Sequence, residues 1–208
     1  MKFIGRKEEL KKLDRAIHAD EMNVTLIYGR RRVGKSELVS QALSKSKVKA
    51  VYYECKQVAQ ESNVNGVSEI LSETLGFPKL GFSDIESLLN YIFELSTKEK
   101  LVLVLDEYPY LRESIKGMDS ILQAVVDRYR KTSKLTLIIL GSYVEVMRSL
   151  FEHENPLYGR VDRTINLKQM DYYESSFFYP NYSAEDKVRI YSVFGGIPYY
   201  NRLIDDTK

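Results

Sequence analysis

The sequence has a single cysteine, Cys55, no tryptophan, and only two histidines, His18 and His153, in 208 residues. One thiol can neither close an internal disulfide nor supply a thiolate cluster for a metal. This excludes a disulfide-stapled scaffold and fits a reducing compartment with Cys55 simply buried. The histidines stand apart from ligand-like neighbours and read as ordinary surface or helix residues. No stretch approaches the roughly 18 apolar residues that cross a bilayer, and the opening MKFIGRKEEL holds no apolar run of signal-peptide length. The expectation is a cytoplasmic chain without a membrane partner. Net charge is also scarce: 31 basic residues against 29 acidic leave +2. Gross charge therefore offers no support for direct nucleic-acid binding, and any basic site must be local. What is present is apolar surface, 44% of the residues, enough for one substantial core and one main domain.

Along the chain, Leu10, Leu13 and Ile17 form a helical stripe, and VTLIYG reads as a buried strand ending at Gly29. SELVSQAL follows a loop as a helix, and AVYYE, 50–54, is a second strand. Helices are expected over 66–75, closed by Gly76, and over 84–96, where Ser83 and Glu86 have capping-box spacing. LVLVLDE, 101–107, is a strand, followed by a helix over 118–131, the strand LTLIILGS over 135–142, a helix over 143–151 and a short strand over 163–167. The strands are continuous apolar runs, so helices should cover both sheet faces, which implies an α/β fold with a parallel sheet. From 168 the character changes to the aromatic YYESSFFYPNY, with helices over 184–194 and 198–205.

The stretch GRRRVGKS, 29–36, fits the phosphate-loop spacing G-x-x-x-x-G-K-[ST] through Gly29, Gly34, Lys35 and Ser36. Glycines let successive amides turn inward around phosphate oxygens, the lysine reaches the terminal phosphates, and the hydroxyl binds Mg²⁺. The loop follows an expected strand and opens an expected helix, which adds the helix N-terminus to the site. Candidate nucleotide contacts are therefore Gly29, Arg30, Arg31, Arg32, Val33, Gly34, Lys35, Ser36 and Glu37. Asp106 and Glu107 end a strand about seventy residues on, where an acid is needed for the hydrated metal and a base for the attacking water. Ser36 and Asp106 are thus the metal candidates, and Lys35 and Glu107 the catalytic ones. Ser142 ends the next strand and either orients the water or caps the following helix. Arg160 and Arg163 precede the last strand, and either one reads phosphoryl charge or sits in a solvated or salt-bridged position.

Taken together these stretches resemble the ATPases described as predominantly archaeal, a branch of the AAA+/STAND superfamily, over nearly the whole chain. FIGRKEEL is similar to the family's opening box, and the resemblance places Ile4, Gly5 and Arg6 near the adenine. YGRRRVGKS is similar to its arginine-rich phosphate loop, in which only the backbone N–H groups of the three arginines need face phosphate. VLVLDEYPYL resembles its Asp-Glu strand, Gly159-Arg160-Val161-Asp162 its arginine-finger motif, and GGIPYY its lid turn, with Pro198 near the base. The resemblance implies a three-layer αβα P-loop NTPase with a five-stranded parallel sheet of order 5-1-4-3-2. Residues 1–168 would be the ATPase core and 169–208 the start of a helical lid. It implies ATP and Mg²⁺ as ligands and slow hydrolysis that drives or times a change in a downstream effector or partner protein, nuclease-like or DNA-binding, and it leaves open an oligomer. Ser142 departs from the asparagine common at its position. A nucleotide-occupancy switch with negligible turnover stands as the alternative, and a small-molecule P-loop kinase as a third reading that lacks an acceptor pocket. Tyr172, Tyr173, Phe177, Phe178 and Tyr179 are either a partner-facing patch or core packing.

Overall fold

The computed structural model describes residues 3–205. Helix α1 (Lys7–Ile17) leads to strand β1 (Asn23–Tyr28), α2 (Lys35–Lys45), β2 (Lys49–Glu54), α3 (Gln60–Leu75) and α4 (Ile85–Lys98). Then follow β3 (Leu101–Asp106), α5 (Tyr108–Ser114), α6 (Met118–Tyr129), β4 (Thr136–Gly141), α7 (Val144–Ser149) and β5 (Arg163–Asn166). The described chain ends in α8 (Tyr172–Ser176), α9 (Ala184–Phe194) and α10 (Pro198–Asn201).

Every residue of β1, β3 and β4 is buried, as their unbroken apolar runs require of strands covered on both faces. Alternate residues enter different cores. Leu101, Leu103 and Leu105 join Leu137 and Ile139 in a cluster packed against α3, α4 and α6. Val102 and Val104 join Ile138 and Leu140 in a second cluster with Leu13 and Ile17 of α1 and Leu38 and Val39 of α2. The period of two along the strands thus produces two cores and three layers.

The sheet order is β2-β3-β4-β1-β5, which is the expected 5-1-4-3-2 counted from the other edge, and all pairs are parallel. Register puts Tyr28 beside Gly141 and Leu105 beside Ile139. The segments that follow β1, β3 and β4 therefore emerge together at one sheet edge.

Several boundaries differ from the sequence expectation. Helix α3 begins at Gln60, six residues early, because Asn63 is buried on hydrogen bonds from Tyr53 Oη (2.8 Å) and Lys56 N (3.0 Å) instead of facing water. The cap of α4 is Asp84, whose carboxylate accepts from Ser87 N at 2.7 Å while Ser87 Oγ closes the reciprocal bond, so Ser83 and Glu86 do not form the box. Helix α5 was not expected, and it forms with Pro109 in its first turn, where the missing N–H costs nothing. Helices α7 and α10 are shorter than expected, and residues 206–208 lie outside the described chain.

Candidate active site

The loop after β1 is held by a close backbone approach. A side chain at Gly29 would place its Cβ 2.1 Å from the carbonyl oxygen of Leu167, so only glycine fits. Gly34 caps α2 with φ of 92° and no side-chain hydrogen bond, leaving the first amides of that helix for an anion. Lys35 is 6% exposed. Its Nζ donates to the loop's own carbonyls, Gly29 O at 3.0 Å and Arg30 O at 3.3 Å. Among the described residues no carboxylate lies within ion-pair distance of it. Burial pulls the ammonium pKa down from its ordinary value, and the nearby charges of Glu107 and Asp106 partly offset this. A buried cation whose partners are neutral carbonyls is suited to receive a phosphate.

Asp106 is 4% exposed. Its Oδ2 accepts from Ser36 Oγ at 2.6 Å and from Tyr52 Oη at 2.5 Å, and its Oδ1 accepts from Glu107 N at 2.9 Å. Glu107 Oε2 accepts from Ser142 N at 3.0 Å and Ser142 Oγ at 2.9 Å. Helix α7 begins after Tyr143 with no side-chain cap, so Ser142 does not serve as its N-cap. Tyr52 was missed in the sequence. Its phenol is pushed well above the ordinary range, first by burial and then by the bond to Asp106. Among the described residues no group of three or more His, Cys, Asp or Glu could cage a metal. One carboxylate and one hydroxyl side by side, Asp106 and Ser36, fit a hard cation that takes its remaining ligands from water and substrate phosphate, as Mg²⁺ does.

Beside the loop lies a cavity of about 140 Å³ lined by Ile4, Arg6, Val33, Gly34, Pro198 and Tyr199. Ile4, Arg6 and Pro198 therefore line one cavity beside the loop. Gly5 instead lines an adjoining cavity with Tyr173 and Phe177. The Arg6 guanidinium, 5% exposed, donates to Lys168 O at 2.5 Å and Val33 O at 3.4 Å. Its Nε is buried without a partner, and burial lowers its pKa. A purine base, rich in acceptors, would satisfy such a donor. The aromatic run divides: Tyr179 is buried, Phe178 lines the small cavity, and Tyr173 is 69% exposed, with Tyr172 and Phe177 also outside.

The loop arginines point away from the loop's interior. Arg30 and Glu37 are exposed. Arg31 donates to Tyr110 Oη at 2.9 Å and stands 5.8 Å from the Tyr143 ring. Arg32 donates to Tyr200 Oη at 2.8 Å and stands 4.6 Å from the Tyr199 ring.

Of the two roles open to it, Arg160 takes the salt-bridged one. It pairs with Asp127 through Nε at 3.0 Å and Nη2 at 2.9 Å, near the start of β5. Asp162 there binds Val24 N at the start of β1, so this is the edge opposite Lys35. Arg163 opens β5 beside Thr25, also remote from the loop.

Among the described residues, three that are not glycine hold a left-handed backbone: Arg6 (φ 58°), Arg32 (φ 69°) and Glu107 (φ 52°). All three border this site, and each such residue costs of order 1–3 kcal/mol. The surrounding fold therefore holds strain at the place where the candidate groups converge.

Comparison with known proteins agrees with this geometry. A family model described as "ATPase domain predominantly from Archaea" matches residues 3–203. An uncharacterized protein of Methanocaldococcus jannaschii is 30% identical over 199 residues, covering 95% of this chain and 43% of its own length. The chain thus spans less than half of that curated relative. The Walker-type ATPase PABY2304 of Pyrococcus abyssi superimposes with a TM-score of 0.72 at 20% identity, over 96% of this chain and 65% of the other. The Aeropyrum pernix ORC2 protein, solved in ADPNP-ADP complexes, does so with 0.65 at 17% identity, over 89% and 52%. At these identities the solved structures speak for the fold. Among the described residues no helix is long and apolar enough to cross a membrane.

Proposed function

The chain belongs to the family of ATPase domains predominantly from Archaea, and on that premise we propose that it binds ATP with Mg²⁺ at the loop Gly29–Glu37 and hydrolyses it slowly. The observation that carries this reading is the convergence at one sheet edge of the buried Lys35 ammonium, the Ser36–Asp106 pair at 2.6 Å and Glu107 held by Ser142. Lys35 and the loop amides bind the β- and γ-phosphates of the substrate. Ser36 and Asp106 would hold the metal, which when bound neutralises developing charge on the phosphoryl oxygens. Tyr52, donating to the same carboxylate oxygen, orients Asp106. Glu107 takes the proton of the attacking water. Ser142 acts on Glu107: its two donors on Oε2 fix the carboxylate and occupy one of its oxygens. The other oxygen, Oε1, is left to face the water.

The base occupies the cavity between Ile4, Arg6 and Pro198. The described residues up to 168 would form the ATPase core and those from 169 a helical lid. The cycle sets the conformation of a downstream effector or partner protein, nuclease-like or DNA-binding by family resemblance. The reading includes a cytoplasmic setting, with which a free, buried Cys55 is compatible. Arg160, committed to Asp127, is left out of the mechanism within one chain, and a role toward a neighbouring nucleotide would require an oligomer. The contact of Arg32 with α10 favours a second reading, in which occupancy itself is the signal and turnover is negligible.

Phosphate release and Mg²⁺-ATP binding measured on the parent and on Glu107→Gln test the assignment. The variant is expected to keep its affinity and lose turnover by about 100-fold or more. Equal turnover in both would remove Glu107 as the base, and no turnover in a parent that binds ATP would leave the occupancy switch.

A further inference from the structure

The three arginines of the phosphate loop are more than its charge requires, and the side chain of one of them reaches the C-terminal helix. Arg32 Nη1 donates to Tyr200 Oη at 2.8 Å, and its guanidinium carbon stands 4.6 Å from the Tyr199 ring and 5.5 Å from the Tyr200 ring. A second contact crosses the same gap, Arg202 Nη2 to Glu37 Oε1 at 3.4 Å. Arg32 and Glu37 flank the phosphate-binding stretch, while Tyr199 and Arg202 belong to or follow α10. All four line the small cavity beside the loop. The two contacts therefore span its mouth, from the wall that carries the phosphate loop to the wall that carries Pro198.

We propose that Arg32–Tyr199/Tyr200 and Glu37–Arg202 form a two-point clasp that gates exchange of the adenine nucleotide, with Arg32 as a positioning residue for α10 and not a phosphate ligand. The inference rests on the nucleotide-site reading given above. A planar guanidinium suits the task because it donates to the phenol and stacks on a ring together, which an ammonium does not. Exposed pairs of this kind are individually weak, so the clasp opens on its own and limits exchange without sealing the site. Helix α10 itself buries only Pro198 and Asn201, and the neighbouring α9 buries no residue, so the two contacts add to a short packed segment. A gate is distinguished from an ordinary ligand contact by its kinetics: loosening it speeds entry and exit alike, whereas losing a ligand contact speeds exit alone.

The test is stopped-flow binding and chase of a fluorescent ADP derivative with the parent chain, with Tyr200→Phe, and with Tyr200→Phe combined with Arg202→Gln. In parallel, hydrogen exchange of residues 198–202 is followed without nucleotide. The expected result is association and dissociation both faster by about tenfold, affinity within about threefold of the parent, and faster exchange in α10, corresponding to loss of one or two charge-assisted contacts. A parent that binds the derivative, with variants whose two rates are unchanged or whose dissociation alone rises, overturns the gate while leaving the nucleotide site standing. A parent that binds no nucleotide overturns the site reading and the gate with it, whatever the exchange data show for α10.

Discussion

The centre of the sheet and the C-terminal helices are built on opposite terms. In β1, β3 and β4 every residue is buried. Helix α9 buries none, and Val188, Val193 and Phe194 are exposed. Lys35, Asp106, Glu107 and Ser142 are attached directly to the first region, so their relative positions move only if the core moves. Tyr199 and Arg202 are attached to the second, where α10 buries only Pro198 and Asn201 and polar contacts reach Arg32 and Glu37. Chemistry is thus placed on the rigid part, and access on the part with low local stability.

This contrast can be broken at several points, from the strongest effect downward. Leu103→Ala removes a fully buried side chain between β2 and β4 and should cost about 2–5 kcal/mol in denaturant unfolding. Lys35→Ala should leave unfolding nearly unchanged and weaken ATP binding by about 100-fold in a titration, because the buried cation is lost from the phosphates. Ser142→Ala frees Glu107 Oε2 of its side-chain donor and should change turnover by about tenfold with little change in ATP affinity. Alkaline pH gives a smaller, graded effect. The pKa of Lys35 is lowered by burial in the free protein, and a bound phosphate would raise it, so binding takes up a proton and affinity should fall as pH rises, beginning below the ordinary lysine range. Lys35→Arg should shift that decline to higher pH. At the far end, Val193→Ala on the exposed face of α9 should stay within about 0.5 kcal/mol of the parent.

Much of this was legible in the sequence for physical reasons that differ by element. The inner strands showed themselves as unbroken apolar runs, and the phosphate loop and Asp106-Glu107 as local patterns at strand ends. Helix α5 was not legible because YPYLRES carries a proline and follows the strained Glu107, yet both are satisfied at a first turn. Tyr52 was hidden because its bond to Asp106 depends on β2 lying beside β3, a relation that exists only in the sheet. Ser142 was placed at the right edge, but its partner is Glu107. Arg160 was left open between phosphate and a salt bridge because its partner, Asp127, lies on α6 and reaches it only in the folded chain. The loop arginines were expected to have side chains free for solvent, acids or a partner, and Arg31 and Arg32 meet tyrosines 79 and 168 residues away in the sequence.

Calorimetric titration of ATP into the parent chain, with and without Mg²⁺, and into Lys35→Ala tests the central claim most directly. A single site that tightens with Mg²⁺ and is lost in the variant is the predicted result. Absence of any Mg²⁺-dependent binding by the parent, or equal binding by parent and variant, would contradict it.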